Sequence, residues 1–323
     1  MRAEGEAGKG VGRRAAFAAI DLGTNNCRLL VVEPSRAGGF RVIDSFSRIV
    51  RLGEGVARTG ALSDEAMART VDALKICARR LERHGAVPLR AIATAACRRA
   101  RNAGELVRRV EEEAGIKLEI VSEAEEARLA AIGCAPLVGR DYQGALVFDI
   151  GGGSTEIIWL RRVNHRIETA FASSVPVGVV SLSETHGDYA AHLHAVTPVF
   201  AGVAKAMLAA AGPFPAETHH LLGTSGTVTS LAAVSLRLPR YDRKRIDGGW
   251  HDTAVLIGVA DKLVALTTAE RETLACIGPA RAGLTTAGCA AFAAIAQQWP
   301  CARLRVADRG LREGILRELM DSA

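Results

Sequence analysis

The chain has 323 residues, 49% of them hydrophobic and 24% charged, which excludes a disordered polypeptide and allows one large or two ordinary globular domains. Its formal net charge is +6, yet only 4% of residues are aromatic and no basic–aromatic interleaving is visible; no nucleic-acid partner is expected, and a polyanion without bases fits better. The longest apolar runs fall far short of a membrane span, so no membrane partner is expected either.

Seven cysteines (Cys27, Cys77, Cys97, Cys134, Cys276, Cys289 and Cys301) are odd in number, scattered and free of any CxxC pair, as in a reduced, cytoplasmic protein. Residues 1–14 are Gly-rich with mixed charge and lack the apolar core of a signal peptide, so they read as a flexible N-terminal tail.

Residues 18–32 then follow the plan apolar strand, Asp21-Leu22-Gly23-Thr24-Asn25-Asn26, apolar strand, with Arg28 just beyond the turn. Residues 40–49 predict a third strand and 48–55 a Gly-punctuated loop. Ser63 ahead of Asp64 and Glu65 caps a long amphipathic helix that Gly85 stops. A strand over 89–94 ends in Thr94-Ala95-Ala96-Cys97-Arg98-Arg99-Ala100-Arg101-Asn102, where Thr94, Arg98 and Asn102 either face an anion or cap and solvate a helix start. A helix over 102–114 and a short strand over 118–121 follow. Ser122, with Glu125 at the capping-box position, opens the next helix. Acids in a first turn complement the helix dipole, but this one follows a strand end, where ligands bind in α/β units. The polar break Gly139-Arg140-Asp141 marks the expected boundary between a unit of residues 15–138 and one of residues 139–323.

Residues 145–159 repeat the first plan around Asp149-Ile150-Gly151-Gly152-Gly153-Ser154-Thr155-Glu156. The glycine run predicts a tight turn whose backbone approaches a ligand without interference from a Cβ. Its successive N–H groups, with the Ser154 and Thr155 hydroxyls, make a nest for anionic oxygens. Asp149 and Glu156 set two carboxylates beside that nest, which would repel phosphate unless a divalent cation or a water to be activated lies between. Asp21 and Asp149 are 128 positions apart, a degenerate repeat with Arg28 roughly where the second copy has Glu156. Two such hairpins face to face would clamp a phosphate chain.

Further on, the sequence predicts a strand over 166–173, a helix over 196–211 and a short strand over 220–222. Gly223-Thr224-Ser225-Gly226-Thr227 opens a helix and offers a third anion site through free N–H groups. Helices over 252–266, 269–276 and 281–297, a strand over 304–307 and a terminal helix over 310–320 complete the chain. His186, His192, His194, His219 and His220 lack metal-ligand spacing and read as surface or core residues.

The Asp21–Arg28 hairpin motif, the segments 94–102 and 122–129, the Asp149–Glu156 motif, Gly223-Thr224-Ser225-Gly226-Thr227 and Gly310-Leu311-Arg312-Glu313-Gly314 occur in one order. Together they resemble the exopolyphosphatase / guanosine pentaphosphate phosphohydrolase family, in its short two-domain form, over roughly residues 15–319. The resemblance implies an α/β protein of two actin-like (ribonuclease-H-like) domains flanking an interdomain cleft. It also implies release of terminal orthophosphate from inorganic polyphosphate, conversion of pppGpp to ppGpp in many members, and Mg²⁺ or another hard divalent cation as cofactor. Glu126 falls on the family's catalytic glutamate, and Asp149 and Glu156 fall on the metal and water-positioning carboxylates. The phosphate-binding turns fall on Asp21, Gly23, Thr24, Asn25 and Asn26, on Gly151, Gly152, Gly153, Ser154 and Thr155, and on Gly223, Thr224, Ser225, Gly226 and Thr227. Arg28, Arg98 and Arg281 fall on arginines near the phosphates or the guanosine ligand. Members of this form often pair, so a homodimer belongs to the expectation, although no interface is legible.

Three departures bear on it. Glu123 replaces a usual glycine, Ser181 stands where many members have arginine, and Gly283 where Asp or Lys is usual. The last two touch the substrate side and weaken the case for alarmone use more than for polyphosphate. A kinase of the same superfold and a non-catalytic alarmone or polyphosphate sensor are the competing readings. The first lacks a clear adenosine-pocket signature here, and retention of Glu126, Asp149 and Glu156 argues against the second.

Overall fold

The computed structural model describes residues 15–35 and 39–323; the predicted tail of residues 1–14 lies outside the described residues. Eleven strands are present among them: β1 Phe17–Leu22, β2 Asn26–Pro34, β3 Phe40–Ile49, β4 Leu89–Ala93, β5 Leu118–Ile120, β6 Gly144–Ile150, β7 Thr155–Val163, β8 Arg166–Val175, β9 His219–Thr224, β10 Trp250–Asp252 and β11 Arg303–Val306. They form two sheets, ordered β3-β2-β1-β4-β5 and β10-β11-β9-β6-β7-β8. In each, an antiparallel three-strand meander is extended by two parallel strands, so β6 to β9 and β11 repeat β1 to β5. This is the actin-like α/β plan laid down twice. Strand β10, antiparallel to β11 at the sheet edge, is an addition to the strands the sequence predicts.

Alternation within the strands explains why both faces of each sheet are covered. In β1 and β2, Ala18, Ile20, Leu22, Leu29 and Val31 pack toward Met67, Val71, Leu74, Leu106 and Val110 of the helices Asp64–Glu82 and Ala103–Ala114. Phe17, Ala19, Leu30 and Val32 point the other way, onto Leu311, Ile315 and Leu316 of the terminal helix Leu311–Asp321. In β6 and β7, Leu146, Phe148, Ile157 and Trp159 face the larger core. Ala145, Val147, Ile158 and Leu160 face Ala127, Ala130, Ala131 and Cys134 of the helix Glu123–Cys134. A period of two sends successive side chains to opposite faces, so each sheet carries one face toward its own helices and one toward the middle of the molecule.

Those middle faces are covered by two helices, Glu123–Cys134 and Leu311–Asp321, which also pack on each other. Their axes approach at glycines. A Cβ on Gly314 would stand 1.9 Å from the Leu129 carbonyl oxygen, and one on Gly133 would stand 1.9 Å from that of Gly310. The first helix thus lies on the second sheet and the last helix on the first, so the chain crosses between the sheets twice.

One helix departs from expectation. Tyr189–Ala211 begins seven residues before the predicted 196, at a cap where the Asp188 carboxylate accepts from the Ala191 N–H at 2.8 Å. It carries few charges over 23 residues and an 18-residue stretch of it reaches a mean hydropathy of 1.4, so by length and composition it could cross a membrane, contrary to the sequence expectation. In the fold, Val196, Phe200, Val203 and Met207 form a stripe at helical spacing that packs into the core of the second sheet. The predicted helix over 281–297 is broken at Gly283 into Pro279–Ala282 and Thr285–Gln298. Of the histidines, His192, His219, His220 and His251 are buried. His220 donates from Nδ1 to the Leu221 carbonyl (2.8 Å) and accepts the Gly139 N–H at Nε2 (3.0 Å). That pairing fixes the neutral ring, and burial pushes its pKa down to about 4.

Candidate active site

Strand register sets the site. Asp21 is the cross-strand partner of Arg28 in β1 and β2, and Asp149 is that of Glu156 in β6 and β7. Asp21 and Arg28 share the face of Phe17, Ala19, Leu30 and Val32, and Asp149 and Glu156 share that of Val147 and Ile158. All four therefore point toward the two middle helices. The turns that follow close in the same way: the Gly23 N–H donates to the Asn26 carbonyl and the Gly151 N–H to the Ser154 carbonyl, both at 2.9 Å.

The two turns meet. A Cβ on Gly152 would lie 2.9 Å from the Thr24 Cβ, and one on Gly153 would lie 2.7 Å from the Thr24 hydroxyl. The glycines accordingly admit the opposite hairpin, where the sequence reading had them admit a ligand. The Arg99 guanidinium adds a hydrogen bond to the Gly153 carbonyl (3.3 Å), and the Gly55 N–H donates to Glu184 (2.9 Å), tying the two halves together beside the cleft.

The cleft between the sheets has a cavity volume of about 190 Å³. Of the predicted residues, Asp21, Gly23, Thr24, Asn25, Asn26, Arg28, Glu126, Asp149, Gly151, Gly152, Gly153, Ser154, Glu156, Thr224, Ser225, Gly226, Thr227 and Arg281 line it. Three do not. Thr155 turns its hydroxyl to the Val177 carbonyl (2.7 Å), and Gly223 is packed under Phe148. Arg98 is directed at Glu126 rather than into the cleft: its Nη1 donates to Glu126 Oε2 (2.6 Å) and to the Val121 carbonyl (3.1 Å).

Glu126 is held in the first turn of its helix, where Ser122 caps by accepting from the Glu125 N–H at 3.2 Å. The residue is 9% exposed. Burial raises its pKa to about 7; Arg98 opposes the rise, while Asp21 and Asp149 add to it. Burial likewise raises Asp149 to about 6 against the pull of Arg28, with Asp21 adding to the rise. Glu156 is pushed upward by burial and by the charges of Glu126 and Asp149, against the Ser174 and Ser154 hydroxyls that donate to its Oε1 at 2.8 and 2.9 Å. Asp21 is raised by burial, opposed by Arg28 and Arg312. Four carboxyls thus crowd one shielded cleft, where like charges disfavour joint ionisation, and such clusters mark functional sites.

The third turn contributes strain and donors. Ser225 sits at φ 103°, a conformation costly for a non-glycine residue, and its Oγ accepts from the Thr227 N–H at 3.2 Å at the head of the helix Gly226–Ser235. Other lining residues were not assigned from the sequence: Tyr241, Asp308, Arg309, Arg312 and Glu313. Arg309 is held by Asp247 through Nε (3.0 Å) and Nη2, and Glu313 by the Gly310 N–H (2.8 Å) and Arg243 (2.9 Å). Among the departures, Glu123 is exposed and the Ser122 cap forms regardless. Ser181 bonds to the Gly178 backbone (3.1 Å) and does not line the cleft; nor does Gly283.

Comparison with known proteins agrees with this geometry. The Ppx/GppA phosphatase family model matches residues 31–323. Exopolyphosphatase 2 of Mycobacterium tuberculosis is 33% identical over 282 residues, 84% of this chain and 86% of that protein. A crystal structure of an exopolyphosphatase from Cytophaga hutchinsonii superposes with a TM-score of 0.85 at 25% identity, covering 95% of this chain and 98% of the other. That of the Ppx/GppA family member from Aquifex aeolicus gives 0.77 at 26%, with 95% and 98% covered. With the family model matching most of the chain and a 33% identical relative covering 84% of it, this chain belongs to the Ppx/GppA phosphatase family.

Proposed function

We propose that the protein is an exopolyphosphatase that hydrolyses the terminal phosphoanhydride of inorganic polyphosphate, with Glu126 as general base. The observation that carries the reading is Glu126 itself: a buried carboxyl with a pKa near neutrality, opening into a cleft lined by three anion-binding turns. A base poised near the working pH transfers a proton most effectively. Phosphoryl transfer otherwise depends on positioning and charge stabilisation. The N–H groups and hydroxyls of residues 23–26, 151–154 and 224–227 supply donors, and Arg28 and Arg281 supply charge. Arg98 is a positioning residue: it orients the Glu126 carboxylate and keeps its pKa from rising further.

Mg²⁺ fits the donor set. Among the described residues no three His, Cys, Asp or Glu side chains form an all-protein cage, but Mg²⁺ is usually held by one or two carboxylates together with substrate phosphates and water. Asp149 accepts no side-chain hydrogen bond among the described residues, and Glu156 keeps Oε2 free while Ser154 and Ser174 occupy Oε1. These two residues would hold the ion. When bound, it neutralises charge on the phosphoryl oxygens. Its positive charge would also lower the pKa of both carboxyls and would itself ease the ionisation of Glu126.

Conversion of pppGpp to ppGpp is a second activity with support of its own. Apolar residues also line the cleft: Leu231, Leu263 and Leu284, together with Tyr241. Bare polyphosphate has no use for such a surface, whereas a nucleoside does. We read the protein as cytoplasmic, consistent with seven buried, unpaired cysteines, and as two units meeting at residues 138–139, with the terminal helix crossing back to the first.

Orthophosphate release measured side by side on polyphosphate, pppGpp and ATP, with Mg²⁺, tests the reading. Polyphosphate is expected to be hydrolysed fastest, with pppGpp second. ATP-dependent phosphorylation of an added acceptor, without release from polyphosphate, would identify a kinase instead. Tight polyphosphate binding without any release would identify a sensor.

A further inference from the structure

The motif Gly310-Leu311-Arg312-Glu313-Gly314 belongs to the family resemblance, and its arginine stands apart from the turns and carboxylates described above. Leu311, Ile315 and Leu316 anchor the terminal helix on β1, β2 and β4. Gly310 and Gly314 set its approach to the helix of Glu126. That fixed helix presents Arg312 in its first turn, and the side chain lines the cleft.

Its neighbours leave it unpaired. The adjacent Glu313 is fully engaged, by the Gly310 N–H and by Arg243. Among the described residues, Arg312 has no ion pair and its guanidinium makes no hydrogen bond to the protein. It is near enough to Asp21 to lower that carboxyl's pKa alongside Arg28. Burial lowers the pKa of Arg312 itself, with Arg28 and Arg243 pushing in the same direction and Glu313 and Asp21 opposing. Partly buried and bonded to nothing in the protein, the guanidinium is free to take an anionic ligand from the cleft. Here it is held facing the cavity by a helix whose packing is otherwise complete.

Arginine's planar fork matches two oxygens of one phosphoryl group. Arg28 lies on the same side of the cleft, beyond Asp21, and also lacks an ion pair among the described residues. Resting on the hydrolase reading above, we propose that Arg312 is a substrate-binding residue whose guanidinium takes oxygens of the phosphoryl group from the side of the terminal helix, paired with Arg28. The cleft would then be cationic on both walls, with Arg28 and Arg312 on one and Arg281 on the other.

The test is calorimetric titration of tripolyphosphate, with Mg²⁺, into the Glu126→Gln protein and into the same protein carrying Arg312→Ala or Arg312→Met. The methionine variant keeps the apolar stem in place should alanine impair folding. Loss of a bidentate charged contact predicts about 10- to 100-fold weaker binding in either folded variant. Guanidinium ion at millimolar concentration is expected to restore part of the turnover of Arg312→Ala in an otherwise unmodified chain, a rescue that a merely structural role would not show. Binding within twofold of the Glu126→Gln parent, or a loss that guanidinium leaves unchanged, overturns the assignment of Arg312 alone. A parent that fails to bind tripolyphosphate overturns the hydrolase reading and this inference with it.

Discussion

Replacing Glu126 with glutamine is expected to slow orthophosphate release from polyphosphate by about 10²–10⁴-fold, the usual share of a general base, with the fold retained. Glutamine keeps the shape of the side chain and an oxygen that still accepts from Arg98, which is 2.6 Å from Glu126 in the native protein. Only the proton acceptor is lost. The pH profile sharpens the expectation. Burial disfavours the charged carboxylate and raises its pKa to about 7, so below that pH the group is increasingly protonated and cannot take a proton from water. The native rate should therefore climb with pH through an acid limb near neutrality, displaced downward to the extent that a bound cation favours ionisation. The variant should lose that limb along with the rate. Initial rates from pH 5.5 to 8.5, with thermal melts of both proteins, check this. A variant with near-native turnover, or one that keeps the same limb, would remove Glu126 from the chemistry.

The second large effect is on stability. Gly314→Ala is expected to destabilise the protein by about 3 kcal/mol or more, from overpacking where backbone meets backbone. The added methyl group would lie 1.9 Å from the Leu129 carbonyl oxygen and 2.7 Å from its carbon, and neither can rotate away as a side chain would. Relief requires the two middle helices to separate, and they carry Glu126 and Arg312. The helical Gly202 is the control: no atom lies within 4 Å of its would-be Cβ, so Gly202→Ala should be neutral or stabilising by up to about 1 kcal/mol. Thermal melts of the two variants decide the matter. A Gly314→Ala protein that melts with the native chain would show that the helix crossing is not tightly packed.

Much of this architecture is legible in the sequence because it is written locally. The alternation in residues 17–22 and 26–34 specifies β1 and β2, and the same pattern 128 positions on specifies β6 and β7. The constant offset from Asp21 to Asp149 and from Arg28 to Glu156 survives as equivalent cross-strand pairs. What was not legible is non-local. The destination of Arg98 depends on how the segment after β4 meets a helix 28 positions away, and no spacing rule carries that information. Asp308, Arg309 and Arg312 reach the cleft only because β11 adds beside β9 and the chain then recrosses to the first sheet. The glycines at 152 and 153 were correctly read as a place of close approach. The sequence could not tell whether a ligand or Thr24 of the other hairpin does the approaching. The helix Tyr189–Ala211 shows the converse: its composition alone would admit a membrane, and only the stripe of Val196, Phe200, Val203 and Met207 in the core shows what it packs against.

The central claim is geometric: one phosphoryl group lies between two hairpin turns, with the Glu126 side chain on the face from which water attacks. A crystal structure of the Glu126→Gln protein with tripolyphosphate and Mg²⁺ measures this directly. The account predicts the terminal phosphorus between residues 23–26 and 151–154, with residue 126 opposite the bridging oxygen and within reach of a water in line with it. A terminal phosphate bound outside that gap, or residue 126 on the leaving-group side, would contradict it.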